Sequence, residues 1–140
     1  MPDADHQHPK RTLSEENGFE ANARAPFVEL GLATCFSFLR GASEAVDLVT
    51  TAHALGYDAM GVADRNTLAG VVRVHVEART AKVRPVIGAR LVLVTGEEFL
   101  AYPGDRAAYG RLSRLISKGR TRTPDGAWQA KGLCEITLDD

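Results

Sequence analysis

The polar motif Asp64-Arg65-Asn66 has the clearest capacity for chemistry in this chain, because it directly follows a short apolar run at residues 57–62. The run has the length and composition of a buried strand. Thr67, just after the motif, is a candidate N-cap for a helix. Where strands and helices alternate, polar side chains at the carboxyl ends of strands form the functional sites. The sequence therefore predicts that any site lies at this loop.

Hydrophobic periodicity predicts alternating elements on both sides of the motif. Strands are expected at residues 27–32, 57–62, 85–94 and 98–102, with a further short one at 133–136. Helices are expected at residues 43–55, 67–80 and 105–118, with N-caps at Ser43, Thr67 and Asp105 and a stop at Gly119. The inner face of the second helix is predicted to carry Leu68, Val71, Val72, His75 and Val76. His75 is then interpreted as a core histidine and not as a metal ligand.

This alternation indicates an α/β fold with parallel strands. About four strand–helix units cannot close a barrel, which needs on the order of 200–250 residues. Residues 137–140 predict a helix start in which Thr137 caps and Asp140 reaches back to it. We therefore expect the front half of a larger domain, with an unpaired strand edge and apolar surface that favour aggregation or a partner.

Residues 1–26 are polar and aperiodic, so they are predicted to form a disordered tail before a domain at 27–140. His6 and His8 in this tail could share a metal ion, but a mobile segment offers no fixed ligand geometry. We interpret them as incidental.

The composition excludes several classes of protein. The net charge of -1 gives no overall field that would attract nucleic acid or an acidic membrane. Cys35 and Cys134 are too few for a disulfide framework or a four-ligand zinc site. No apolar run approaches membrane-spanning length, and the first residues lack the apolar core of a signal peptide. We expect a soluble, cytoplasmic protein.

Four blocks of the sequence resemble a known family: FSFLRGAS at 36–43, LGYDAMGVADRNTLAG at 55–70, PVIGARL at 85–91 and AYPGDRAAYGRL at 101–112. They are similar to the N-terminal PHP (polymerase and histidinol phosphatase) domain of bacterial C-family DNA polymerases, and more so to the error-prone, damage-associated branch. The resemblance implies a distorted (β/α)7 barrel, of which this chain holds the front half. It also implies a parent polymerase that uses Mg²⁺. The polymerase catalytic residues, and the regions through which the parent binds DNA, would lie outside this segment.

Active members of that family hold metal ions through His-x-His after the first strand, Asp-His after the second and Glu in the third. The resemblance places these ligands at Gly31 and Ala33, at Asp64 and Arg65, and at Arg90. Four of these five positions are degenerate, since two lack a donor side chain and two carry a cation. No catalytic residue and no cofactor are expected in this segment.

Asp64 has two interpretations. It is either a remnant metal ligand or a structural carboxylate that pairs with Arg65 or Arg90, or bonds to backbone amides of its own turn. Our hypothesis is that the guanidinium groups of Arg65 and Arg90 replace the positive charge of the missing metals and hold the strand ends together.

Other candidate residues carry weaker signals. Cys35 and Ser37 lie on the first strand–helix loop, but the sequence places no histidine to activate either as a nucleophile. A basic stretch could contact nucleic acid or form a solvated helix face; it comprises Arg111, Arg114, Lys118, Arg120, Arg122 and Lys131, with Trp128 nearby.

Three functions stay open at this point. The chain is the structural PHP segment of an error-prone DNA polymerase, whose partner is the rest of the polymerase chain. Alternatively, it is a PHP phosphoesterase or nuclease, or a stand-alone interaction fragment of a truncated gene.

Overall fold

The computed structural model describes residues 27–123, 125–130 and 132–140. Its elements, in chain order, are β1 (Glu29–Leu32), α1 (Ala45–Ala54), β2 (Ala59–Arg65), α2 (Val71–Thr80), β3 (Arg84–Val92), β4 (Glu98–Ala101) and α3 (Arg106–Arg120). The predicted tail, with His6 and His8, lies outside the described residues.

The four strands form one curled sheet, a half-barrel with the order β1-β2-β3-β4. β1, β2 and β3 are parallel, because α1 and α2 return the chain to the same end of the sheet each time. β4 follows β3 through a turn at Gly96 and is antiparallel to it. The start of β4 therefore lies beside the carboxyl end of β3.

All three helices pack on one face of this sheet. Met60 and Val62 of β2 are fully buried against Val49 of α1 and Val74 of α2. Under α3, Leu112 and Ile116 pack on Ala89 of β3 in a second, smaller cluster. Burial of these apolar side chains supplies the main driving force for folding.

The opposite face of the sheet carries small residues because other groups approach its backbone closely. A Cβ atom added to Gly61 would lie 2.8 Å from the Cα of Leu30, and one added to Gly88 would lie 2.5 Å from the ring of Tyr102. Side chains on a strand alternate between the two faces. Residues 61, 63 and 65 of β2 therefore lie on this helix-free face.

The fold class expected from the sequence is confirmed, and several details differ. The buried residues of α2 are Val71, Val74 and Ala78, whereas Val72 is 70% and Val76 54% exposed. The predicted inner face is therefore correct at Val71 and at Leu68, which packs against the cluster under α3, and wrong at Val72, His75 and Val76. The helix begins at Val71 and not at Thr67, and its buried residues follow Val71 at helical spacing. His75 is consequently exposed and not a core residue.

The ends of the elements explain the other differences. β2 extends through Arg65, so Asp64 lies in the strand and the loop begins at Asn66. The Ser43 cap was wrong, since α1 has Glu44 at its N-cap position with no side-chain cap bond. α3 continues past Gly119 to Arg120, and residues 133–136 form no strand.

Two predicted capping interactions are confirmed. Asp105 accepts a hydrogen bond from the Ala108 amide at 2.7 Å at the start of α3. At residues 137–140, the Asp140 carboxylate accepts hydrogen bonds from the amide and hydroxyl of Thr137. Lys118, at 2.7 Å from Asp140, holds the pKa of that carboxyl well below its usual range.

Candidate functional site

The Asp64 carboxylate lies at the carboxyl end of β2 and is only 1% exposed. Its Oδ1 accepts hydrogen bonds from the Thr34 amide and the Ser37 hydroxyl, both at 2.7 Å. Its Oδ2 accepts one from the Thr34 hydroxyl at 2.8 Å. The carboxylate thus fastens the loop after β1 to the end of β2.

The same hydroxyl groups extend this network into the backbone. The Ser37 hydroxyl accepts a hydrogen bond from the Arg65 amide, and the Thr34 hydroxyl accepts one from the Phe36 amide. A Cβ atom added to Gly70 would lie 2.6 Å from Asp64 Oδ2, so the start of α2 closes tightly over the carboxylate. Little space is left beside Asp64 for an added ion.

Arg65 and Arg90 do not pair with Asp64. They are neighbours in the β2–β3 register, whereas Asp64 lies beside Ala89 and therefore on the helix-covered face. Both guanidinium groups bind Glu98 at the start of β4: Arg65 Nη1 lies 3.3 Å from Oε1 and Arg90 Nη1 lies 2.9 Å from Oε2. One carboxylate therefore bridges the ends of three strands.

Gly31 and Ala33, which the resemblance predicts at two further ligand positions, lie in the same region. The Gly31 amide donates a hydrogen bond to Glu29, and a Cβ atom at Gly31 would lie 3.6 Å from Arg90 Nη2. Ala33 supplies only a methyl group. Among the described residues, no three His, Cys, Asp or Glu side chains come together as a metal site would require. The residues at these positions do not fit the metal cluster of the family's active members.

An open cleft of about 220 Å³ occupies this end of the sheet. Its lining consists of Ala33, Ser37, Arg40, Arg65, Arg90 and Glu98. Three arginines against one glutamate make the cleft strongly cationic, which is the opposite of what a metal-binding carboxylate site requires.

Comparison with known families now decides the assignment, because residues 29–136 match the family model described as "PHP domain". The chain belongs to the PHP domain family. Its PHP domain is homologous to the N-terminal region of error-prone DNA polymerases.

The error-prone DNA polymerase of Allorhizobium ampelinum is 50% identical to it over 114 residues, and error-prone DNA polymerase 2 of Agrobacterium fabrum is 54% identical over 114 residues. In both cases the match covers 81% of this chain and 10% of the relative. The chain thus spans about a tenth of the length of these curated relatives.

A solved structure supports the fold of this PHP domain. A protein from Bifidobacterium adolescentis, assigned as a metal-dependent phosphoesterase, superposes with a TM-score of 0.51 at 21% identity. The match covers 74% of this chain and 36% of that protein. At this level of identity the likeness concerns the fold alone.

The structure also places the remaining candidates of the PHP domain. Cys35 is exposed, and the Ser37 hydroxyl donates its hydrogen bond to Asp64. In the basic stretch, Lys118 and Arg122 pair with Asp140. Arg120 donates two hydrogen bonds to the Asn66 carbonyl at 2.8 and 3.2 Å. Lys131 lies outside the described residues, and Trp128 is 69% exposed.

Asn66 is a structural residue that the sequence did not distinguish from its neighbours. It adopts a positive φ of 47°, which asparagine tolerates better than most residues. Its side-chain amide donates to the Val92 carbonyl and accepts from the Val92 amide, so it continues the β2–β3 ladder after β2 has ended. The turn to α2 is fixed in this way.

Tyr102 offers a test of the helix-free face of the sheet. Its hydroxyl oxygen is buried and has no hydrogen-bond partner among the described residues. Burial raises the pKa of the phenol, partly countered by the positive charge of Arg90 and reinforced by Glu29. The folded protein holds this proton more tightly than the unfolded chain does. The phenol therefore leaves the free energy of unfolding unaffected below about pH 10 and lowers it as the pH rises beyond that value.

We expect Tyr102→Phe to leave the free energy of unfolding at neutral pH unchanged or to raise it by about 1 kcal/mol, because an unpaired buried hydroxyl is removed. The loss of stability above about pH 10 should also become smaller. Urea unfolding from pH 7 to 11 checks this, with the exposed Tyr109→Phe as control. A clear destabilisation at pH 7 specific to Tyr102→Phe would contradict it.

Proposed function

We propose that this PHP domain is the N-terminal segment of an error-prone DNA polymerase and acts there as a structural, non-hydrolytic module. Identities of 50–54% to polymerases about ten times longer than the matched segment support the polymerase assignment. The observation that carries the structural role is the bridge of Arg65 and Arg90 to Glu98 where the family's metal cluster would lie.

In this proposal the two guanidinium groups replace the charge of the missing metals. Metal ions would draw the ends of several strands together through shared ligands. Here the charges are exchanged: the Glu98 carboxylate of β4 is held between two cations on β2 and β3 and draws the strand ends together. The Asp64 network fastens the loop after β1 to the same region.

The polymerase reaction itself, Mg²⁺-dependent transfer of nucleotides in the copying of damaged DNA, is proposed to belong to the remainder of the chain. DNA would be bound through that remainder, in the cytoplasm, during repair and replication. Among the described residues, no helix is long and apolar enough to cross a membrane. The remainder would also cover the apolar side chains exposed on the edge strands β1 and β4 and just before β1, which are Phe27, Val28, Leu30, Phe99 and Leu100.

An immunoblot with an antibody raised against residues 27–140 tests the polymerase assignment. The expected result is a band at the mass of the full-length error-prone polymerases. A band at the mass of 140 residues alone would overturn the assignment and leave the interaction fragment as the better interpretation.

A metal-dependent phosphoesterase is the second candidate function, because residues 29–136 match the PHP domain family model and a protein of similar fold carries that assignment. It is tested by adding Mn²⁺ or Zn²⁺ to the intact protein and measuring hydrolysis of a chromogenic phosphodiester. We expect no hydrolysis that a chelator removes. Chelator-sensitive turnover that Asp64→Asn reduces, while the exposed Asp139→Asn does not, would favour the phosphoesterase.

A further inference from the structure

We propose that the cationic cleft, defined by Arg40, Arg65, Arg90 and Glu98, is a binding site for a phosphate group. The degenerate metal centre would then be an anion site and not merely an inert remnant. This inference does not depend on the polymerase assignment, because it rests on the side chains of the cleft alone.

The first argument is the charge of the cleft. Three guanidinium groups and one carboxylate line a space of about 220 Å³. The carboxylate of Glu29 lies near Arg90 but outside this lining, so the lining of the cleft keeps an excess of positive charge. A phosphate group carries about 1.5 to 2 negative charges at neutral pH, so one such group neutralises the excess. Arginine is also more suited than lysine to this role, since its planar fork matches phosphate oxygens.

The second argument is the number of free donors. Each guanidinium group has five N–H donors, and Arg65 and Arg90 each use Nη1 on Glu98. Both side chains are 33% exposed, so their remaining donors are accessible from the cleft. Arg40 lies on the loop after β1, is exposed and lines the same cleft, so its guanidinium group can supply further donors.

The third argument is the position of Glu98. It is held between two arginines and is 38% exposed, so it occupies donors that an incoming phosphate would also use. Glu98 would therefore compete with phosphate for these donors. Two substitutions in the cleft are then expected to change phosphate affinity in opposite directions: replacing an arginine lowers it, and removing the charge of Glu98 raises it.

Chemical labelling of arginines tests this in the intact protein, since the readout is local to each residue. The protein is treated with phenylglyoxal in rising concentrations of inorganic phosphate, with NaCl added to keep the ionic strength constant. Mass spectrometry of peptides gives the labelling of each arginine. We expect phosphate to protect Arg40, Arg65 and Arg90. Exposed Arg79, in the last turn of α2 at the opposite end of the sheet, should stay unprotected and serves as the internal control.

Three variants make the test decisive. Arg40→Gln should raise the phosphate concentration needed for half protection of Arg65 about three- to tenfold, because one charged donor is lost. Glu98→Gln should lower that concentration. Arg79→Gln should leave it unchanged, although it lowers the net charge as much as Arg40→Gln does. Equal protection of Arg79, no protection of the cleft arginines, or an unaltered midpoint in both cleft variants would overturn the proposal.

A second arm distinguishes the source of the phosphate group. An oligonucleotide without terminal phosphates replaces inorganic phosphate in the same labelling experiment. Protection by the oligonucleotide that is lost in Arg40→Gln would assign the cleft to a nucleic-acid backbone. Protection by inorganic phosphate alone would assign it to a free phosphate or the terminal phosphate of a small molecule.

Discussion

Asp64→Ala is expected to destabilise the protein by about 3–5 kcal/mol, a large part of the stability of a domain of this size. Three donors would lose their acceptor in a buried place: the Thr34 amide and the hydroxyls of Thr34 and Ser37. Each buried donor left unpaired costs about 1–3 kcal/mol. The loop after β1 would also lose its attachment to β2.

Urea unfolding followed by circular dichroism measures this effect, with the exposed Asp139→Ala as the control. Asp64→Asn should cost less than Asp64→Ala. Its remaining oxygen can still accept from the Thr34 amide and the Ser37 hydroxyl, and its new N–H group can donate to the Thr34 hydroxyl. If Asp64→Ala unfolded at the same urea concentration as the parent, the structural role of the carboxylate would be wrong.

The effect of added metal on stability, measured in the parent and in Asp64→Asn, distinguishes a structural carboxylate from a metal ligand. A remnant metal site would make the parent protein more stable in Mn²⁺ or Zn²⁺ and less stable in a chelator, because a ligand that binds the folded state stabilises it. The hydrogen-bond network predicts that stability is the same with metal and with chelator. A metal-dependent rise in melting temperature that Asp64→Asn abolishes would restore the ligand interpretation.

The fold was predictable because its signals are local. Alternating apolar runs predicted the strands, and a capping carboxylate at Asp105 predicted the start of α3. The second helix failed on a register error. Thr67 is a favourable capping residue, yet residues 67–70 form no helix and α2 starts at Val71. Its buried stripe consists of Val71, Val74 and Ala78, so His75 and Val72 lie on the surface and not in the predicted core.

The site was only half predictable, since its pairings depend on which face of a strand each side chain occupies. The sequence predicted that Asp64, Arg65 and Arg90 lie close together, but it could not assign their hydrogen-bond and ion-pair partners. Once β2 extends to Arg65, alternation places Asp64 and Arg65 on opposite faces, so they cannot pair.

Glu98 was missed for a different reason. It lies eight residues after Arg90 in the sequence, at the start of the strand predicted at residues 98–102, and the sequence analysis assigned that strand no neighbour. The tight turn at Gly96 makes β4 antiparallel, and the register places Glu98 opposite Val92 and diagonal to Arg90. Reading that turn as a hairpin would have identified the acid that both arginines bind.

Arg90→Glu is the second change with a large expected effect. It removes the Arg90–Glu98 ion pair at 2.9 Å and sets two carboxylates against each other near Glu29. The pair is about one-third exposed, so solvent screens it, and a simple loss would cost less than about 1 kcal/mol. Reversal adds repulsion, and we expect a destabilisation of about 1–2 kcal/mol that falls as salt is added.

Thermal and urea unfolding of four proteins distinguish a specific bridge from a general charge effect: the parent, Arg90→Glu, Glu98→Lys and the double variant. If Arg90 and Glu98 act through each other, the double variant recovers part of the stability that each single change removes, which a double-mutant cycle measures directly. Exposed Arg111→Glu on α3 makes the same change in net charge and should have little effect. Arg90→Glu with unchanged or higher stability would show that the guanidinium groups do not hold the strand ends together. The cleft would then be a cationic surface whose charge serves a ligand alone.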